Sequence, residues 1–217
     1  MRKALILGLI LMIGLSFATA AADAVTVQDI VHASNALQTF QATIFMARYT
    51  GSRKAEIEFH FEFVPPAKMR IEYTSPKNLV GQLVILNGDQ LYTFLPALNR
   101  AVRKTISKSS AHPGEEMGFL YYFVNRDLAT FTHDYTASTP TGPVTFTWQH
   151  NKDTITYQAY KLTFTGKETK QVVWCDAATL VPIAVDIYQG GKLTIEVRVI
   201  DYVYNGSIPD KEFSIPK

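Results

Sequence analysis

From Glu56 to Tyr73 the chain alternates apolar and polar residues with a period of two, broken once by Pro65-Pro66. Ile57, Phe59, Phe61 and Phe63 interleave with Glu56, Glu58, His60 and Glu62. Beyond the prolines, Met69, Ile71 and Tyr73 interleave with Lys68, Arg70 and Glu72. Successive side chains of a strand point to opposite faces, so this pattern specifies two adjacent strands with one wet face and one apolar face. A shift of one residue in either strand would turn its apolar set into water, so the register is constrained as well. The apolar face is rich in aromatic rings. It either packs into a closed core or lines a space the protein fills with something else.

The rest of the chain repeats the strand signal. Strands are expected at about 41–50, 82–86, 90–95, 101–106, 130–137, 143–150, 153–165, 169–176, 181–189 and 192–204, besides 55–64 and 68–75. Asn87-Gly88-Asp89, Asn151-Lys152-Asp153, Gly166-Lys167 and Gly190-Gly191 supply turn chemistry between them. Evenly spaced strands joined by tight turns predict a mainly β fold. The expectation is one strongly curved antiparallel sheet of about 10–11 strands, or a barrel. One segment breaks the pattern. Thr26–Phe40 reads as a helix, with Thr26 as N-cap and Asp29 completing a weak capping box. Val27, Ile30, Val31, Ser34, Leu37 and Gln38 share its narrow apolar stripe. Glu115–Val124 is apolar all round and is expected to be buried on more than one side or to cover something apolar.

The N-terminus carries an address. Met1-Arg2-Lys3 is followed by a short apolar run to Phe17 and the small residues Ala18-Thr19-Ala20. This is the three-part pattern of a secretory signal peptide, shorter than the ~20 apolar residues of a membrane span. Cleavage is expected after Ala20, with Ala22 or Ala24 as alternatives. No cysteine lies nearby, so the mature terminus offers no thiol for a lipid. Residues 21–217 are read as one domain, exported and soluble in the periplasm. Without Arg2 and Lys3, the 21 basic residues fall to the same number as the 19 acidic ones. A neutral chain with no basic cluster has no electrostatic footprint for nucleic acid or for an anionic membrane.

Chemistry is sparse. Cys175 is the single cysteine, so no intrachain disulfide forms, and its strand context predicts a buried inert thiol. His32, His60, His112, His133 and His150 have no metal-ligand spacing, and no nucleophile elbow or phosphate loop occurs. Glu56, Glu58 and Glu62 sit on a polar strand face where solvation is the default. No catalytic residue, metal or cofactor is expected, and no enzymatic role.

Three stretches together resemble a known family: Arg70–Pro76 (R-I-E-Y-T-S-P), Leu86–Pro96 (L-N-G-D-Q-L-Y-T-F-L-P), and Trp174–Lys192 running on to Pro216. Their order and spacing are similar to those of the LolA-like carriers and sorting proteins of outer-membrane lipoproteins. The resemblance implies an unclosed antiparallel half-barrel with helices over its mouth and an apolar concave face for acyl chains. Phe59, Phe61, Phe63, Met69, Ile71 and Tyr73 match the inward strand positions, and Thr26–Phe40 matches a helix that plugs the barrel. Met117, Phe119, Leu120 and Phe123 match the lid, a short helix. Pro65 stands where the carriers have a latch arginine, so closure would rest on apolar contact. The implied function is a monomeric periplasmic carrier of lipoprotein acyl chains or a related free lipid. It would receive its cargo from an inner-membrane export complex and pass it to an outer-membrane acceptor. The alternative is an envelope sensor or protein-interaction module on the same half-barrel.

Overall fold

The structure, a computed structural model, describes residues 24–105 and 135–215. The leader and the lid residues Met117, Phe119, Leu120 and Phe123 lie outside the described residues.

Helix α1 spans Val27–Ala36 and opens on the expected capping box. The Asp29 amide donates to Thr26 Oγ1 at 3.2 Å, and the Thr26 amide donates to Asp29 Oδ2 at 2.8 Å. Two of the backbone donors at the helix start are thereby satisfied. The helix stops earlier than Phe40. Leu37 turns to an extended conformation, and the amides of Gln38 and Thr39 donate to Asn205 Oδ1 at 2.7 and 3.3 Å. A side chain from the far end of the chain takes the donors that a longer helix would have used. Only Ile30 is buried within α1, joined by Leu37 just beyond it, so the apolar stripe is narrower than its sequence pattern.

The strands are β1 Phe40–Thr50, β2 Arg53–Val64, β3 Lys68–Ser75, β4 Leu83–Asn87, β5 Gln90–Leu95 and β6 Arg100–Thr105. They continue as β7 Thr136–Ala137, β8 Thr141–His150, β9 Asp153–Thr165, β10 Thr169–Asp176, β11 Pro182–Gln189 and β12 Lys192–Tyr204. All join one 12-stranded sheet in the order β6-β5-β4-β3-β2-β1-β12-β11-β10-β9-β7, with β8 paired to β9. The sheet is antiparallel and unclosed, since β6 and β7 end opposite edges. The total exceeds the expected 10–11 because the weakest strand candidates pair too. β6 is exposed at every position, and the strand expected over 130–137 is seen only as Thr136–Ala137, residues 130–134 lying outside the described chain. Such edge strands are held by backbone pairing, which leaves little trace in a burial pattern.

The register is the one the alternation requires. Phe59, Phe61 and Phe63 stand opposite Tyr73, Ile71 and Met69. Across β1 they stand opposite Ile44, Ala42 and Phe40. These residues join Val197 and Val199 of β12, Val185 of β11, Val173 of β10 and Leu162 of β9 in one core, with Ile30 and Leu37 packed on it.

The other face of the sheet is also covered, in two places. Over β4 and β5, the 3₁₀ turn Asp210–Phe213 buries Phe213 against Ile85 and Tyr92. Asn87 Nδ2 donates to the Phe213 carbonyl at 3.2 Å, and Lys68 Nζ meets Asp210 at 2.9 Å. Over the middle of the sheet lies the β8–β9 hairpin. β9 pairs with β10 only from Ala159 to Thr165, and its first half pairs with β8 alone. Gly142 makes the crossing possible. Its φ is +134°, and a Cβ there would stand 2.8 Å from the Ala159 carbonyl oxygen.

Candidate functional site

The six residues that the alternation singled out come together on the inner face of β2 and β3. Ile71 and Phe61 are 0% and 1% exposed, and Phe59, Phe63 and Met69 are likewise buried. Tyr73 is half-buried at the margin of the same core. The rings form a connected series. Phe61 stacks on Phe63 at 6.3 Å between centroids, Phe40 approaches Phe61 at 6.3 Å, and Phe59 approaches Tyr73 at 5.8 Å. Tyr202 extends the series, 5.8 Å from Phe40, and burial pushes the hydroxyl of neighbouring Tyr157 up to about 12. α1 contributes little to the cover. Ile30, and Leu37 just beyond the helix, are each worth about 1.5–3 kcal/mol of apolar burial.

The polar partners of these residues are half-buried and pair with one another. Arg70 reaches Glu62 at 3.6 Å and also pairs with Glu72, all on the face opposite the aromatic rings. It is therefore committed away from the apolar face. Burial raises the Glu62 carboxyl above its usual range, against the opposing pull of Arg70. Cys175 is fully buried and burial pushes its thiol well up, so it is inert as its strand context predicted. Among the described residues, no three His, Cys, Asp or Glu side chains gather as metal ligands. None of the described helices is long and apolar enough to cross a membrane.

Sequence reasoning missed a second cluster, on the outer face beneath the hairpin. By register, Phe45, Ala47, Glu58, Trp174, Ala184, Glu196 and Arg198 all point away from the core. Yet Ala47 is 0% and Arg198 only 8% exposed, and Phe146 of β8 lies over Arg198. Phe146 stacks against Trp174 at 4.8 Å, Trp148 against Phe45 at 5.9 Å, and His150 Nε2 meets Glu58 Oε2 at 3.0 Å. Arg198 is the hub. Its Nη2 lies 2.6 Å from Asp186 and 2.9 Å from Glu196, and its Nη1 donates to the carbonyls of Val185 and Val197. Its guanidinium also sits 5.7 Å from the ring centres of both Phe146 and Trp174. Tyr49 donates its hydroxyl to Glu196. Burial raises the Asp186 carboxyl, and the charge of Arg198 opposes that rise. Trp148 Nε1 is buried without an acceptor among the described residues, which costs about 1–3 kcal/mol. The readable signal was the unbroken apolar runs Ile44–Ala47 and Val172–Cys175, where a strand with one wet face would alternate.

Among the described residues, cavities lie away from the apolar face. One, of about 330 Å³, opens between the hairpin tip and the outer face and is lined in part by Phe45, Lys54, Trp148 and Arg198. Another, of about 740 Å³, lies between the turns at Gly166 and Gly190. There Lys170 Nζ covers the Tyr188 ring at 5.5 Å.

No family model matches the chain, and no curated protein matches it. Solved structures do match it in fold. An uncharacterized conserved protein from Thermus thermophilus superposes with a TM-score of 0.54 at 14% identity, over 88% of this chain and 94% of that one. MucB, in the MucA/MucB complex of Pseudomonas aeruginosa, gives 0.51 at 11% identity, over 86% of this chain and 58% of that one. A LolA superfamily protein from Nitrosomonas europaea gives 0.42 at 17% identity, over 88% and 99%. An unclosed antiparallel sheet with one apolar face and a capped helix against it is the architecture that the sequence resemblance implied, and it is the fold that this chain shares with the Thermus thermophilus protein and with MucB.

Proposed function

We propose that the chain is an exported carrier of acyl chains, and that Phe59, Phe61, Phe63, Met69, Ile71 and Tyr73 form the surface that receives them. One observation carries the reading. A continuous aromatic and aliphatic face lies on an unclosed sheet, and the helix over it contributes only Ile30 and Leu37 to the buried contact. An acyl chain gains ~0.8 kcal/mol per buried CH₂, roughly 10 kcal/mol for a full chain. That exceeds what two aliphatic side chains hold in place, so cargo can displace α1. The cover in turn lowers the net affinity enough for release. The cargo is a lipoprotein or a free lipid, received and delivered in the periplasm. The solved complex of MucB with MucA makes a protein-binding module the second reading.

The test is mass spectrometry of organic extracts from protein purified from its native envelope, together with uptake of cis-parinaric acid. A stoichiometric acyl lipid and saturable uptake, lost in Phe61→Asp, are expected. Protein free of lipid that takes up no probe would sink the carrier reading. The same preparation is expected to begin near Ala21 on N-terminal sequencing, and an intact Met1 would overturn the export assignment.

A further inference from the structure

We infer that the β8–β9 hairpin is an external brace that sets how widely the half-barrel opens, with the His150–Glu58 contact as its lock. Insofar as it bears on cargo, this rests on the carrier reading.

The argument is geometric. Alternate residues of β8 dock on successive strands of the outer face. Phe146 lies on Trp174 of β10 and over Arg198 of β12, Trp148 on Phe45 of β1, and His150 on Glu58 of β2. In sheet order these anchors run β10, β12, β1, β2, with β11 between the first two. Neighbouring strands stand about 4.8 Å apart, so the anchors span roughly 19 Å of sheet. From Phe146 to His150 an extended strand covers roughly 13 Å, and side-chain reach supplies the rest. β8 therefore runs across the strands rather than along them. A sheet that opens or flattens changes the distance between its outer anchors, and a crossing strand fixed at both ends resists that change.

The two ends are fixed differently. At the root, the half-buried rings of Phe146 and Trp174 pack on the buried Arg198 guanidinium, whose charge Asp186 and Glu196 balance. At the tip the hold is slighter. His150 contacts Glu58, whose other oxygen accepts from Thr74 Oγ1 at 3.2 Å, and the imidazole rests on Phe45 and Trp148 at 5.7 and 5.4 Å. The cavity of about 330 Å³ lies at this end and leaves the tip room to lift. Glu58 precedes Phe59 on β2, so the residue that receives the lock and a residue that lines the apolar face are chain neighbours on opposite sides of one strand. Lifting the tip frees β2 to move and the inner face to widen.

The test measures width directly. Nitroxide labels on Val102→Cys of β6 and Lys167→Cys of the β9–β10 turn report the span of the sheet by pulsed electron resonance. Native Cys175 is fully buried and stays unlabelled. In Phe45→Ala/His150→Ala the distance distribution is expected to broaden and lengthen. The milder Glu58→Gln, which keeps the packing, should shift it the same way by less, and Lys152→Ala on the same hairpin should leave it unchanged. The released variants should also discharge cis-parinaric acid roughly 2- to 30-fold faster, the range that coupling through packed elements reaches. Identical distance distributions in wild type, Glu58→Gln and the double variant would overturn the brace. A wild type that takes up no probe would instead remove the carrier reading and leave the distances to decide the brace.

Discussion

Replacing Arg198 by alanine is expected to destabilise the protein by about 3–5 kcal/mol at pH 7, the usual result of leaving one half of a buried ion pair behind. Asp186, only 8% exposed, and Glu196 would lose their shared cation together, while Phe146 and Trp174 would lose the guanidinium between them. The loss depends on pH with a definite sign. Burial already raises the folded carboxyl of Asp186 above its ordinary 3.8, and Arg198 opposes that rise. Without Arg198 the folded value climbs further. A carboxyl whose folded value is raised contributes stability that is fully present below its unfolded value and is lost as pH rises through the folded one. The deficit of Arg198→Ala is therefore smallest in acid and grows toward neutrality. Urea unfolding of both proteins at pH 4 and pH 7 checks it. Equal deficits at the two values would mean that Asp186 is not held ionised by Arg198.

Phe61→Ala is expected to cost a similar ~3–5 kcal/mol by loss of buried area and the cavity left behind. The ring is 1% exposed and touches Phe40 and Phe63. For a domain of this size that is a fall in melting temperature of roughly 6–20 °C. The carrier reading adds a second expectation. The folded fraction should bind cis-parinaric acid more weakly, because the lost ring is part of the surface offered to the chain. Scanning calorimetry and a binding titration below the lowered transition separate the two effects. Full destabilisation with unaltered binding would make Phe61 a closed-core residue and move the cargo surface elsewhere.

The accuracy of the strand reading has a simple cause. From Glu56 to Tyr73 each residue's face follows from its parity, because one side is dry and the other wet. The turn at Asn87-Gly88 pairs Asn87 with Gln90 and closes β4 on β5. The capping box at Thr26 and Asp29 is equally local. The end of α1 was not, because Asn205, distant in sequence, takes the amides of Gln38 and Thr39. The same holds for the outer cluster. Phe45, Glu58, Trp148, His150 and Arg198 belong to four strands, and no spacing in the chain brings them together.

Which residues of β2 and β3 face inward, that the sheet is antiparallel, and that its apolar face carries aromatic rings were all legible in the chain. Those properties depend on side-chain alternation and turn chemistry, which act over a few residues. The assembled fold alone set the end of α1 at Ala36 and carried β8 across the back of the sheet. It also decided that Arg198, a polar-face residue by pattern, is buried in an ion cluster. These outcomes depend on contacts between segments far apart in the chain, where a second layer turns wet positions into dry ones, and alternation along a single strand carries no record of what will lie over it.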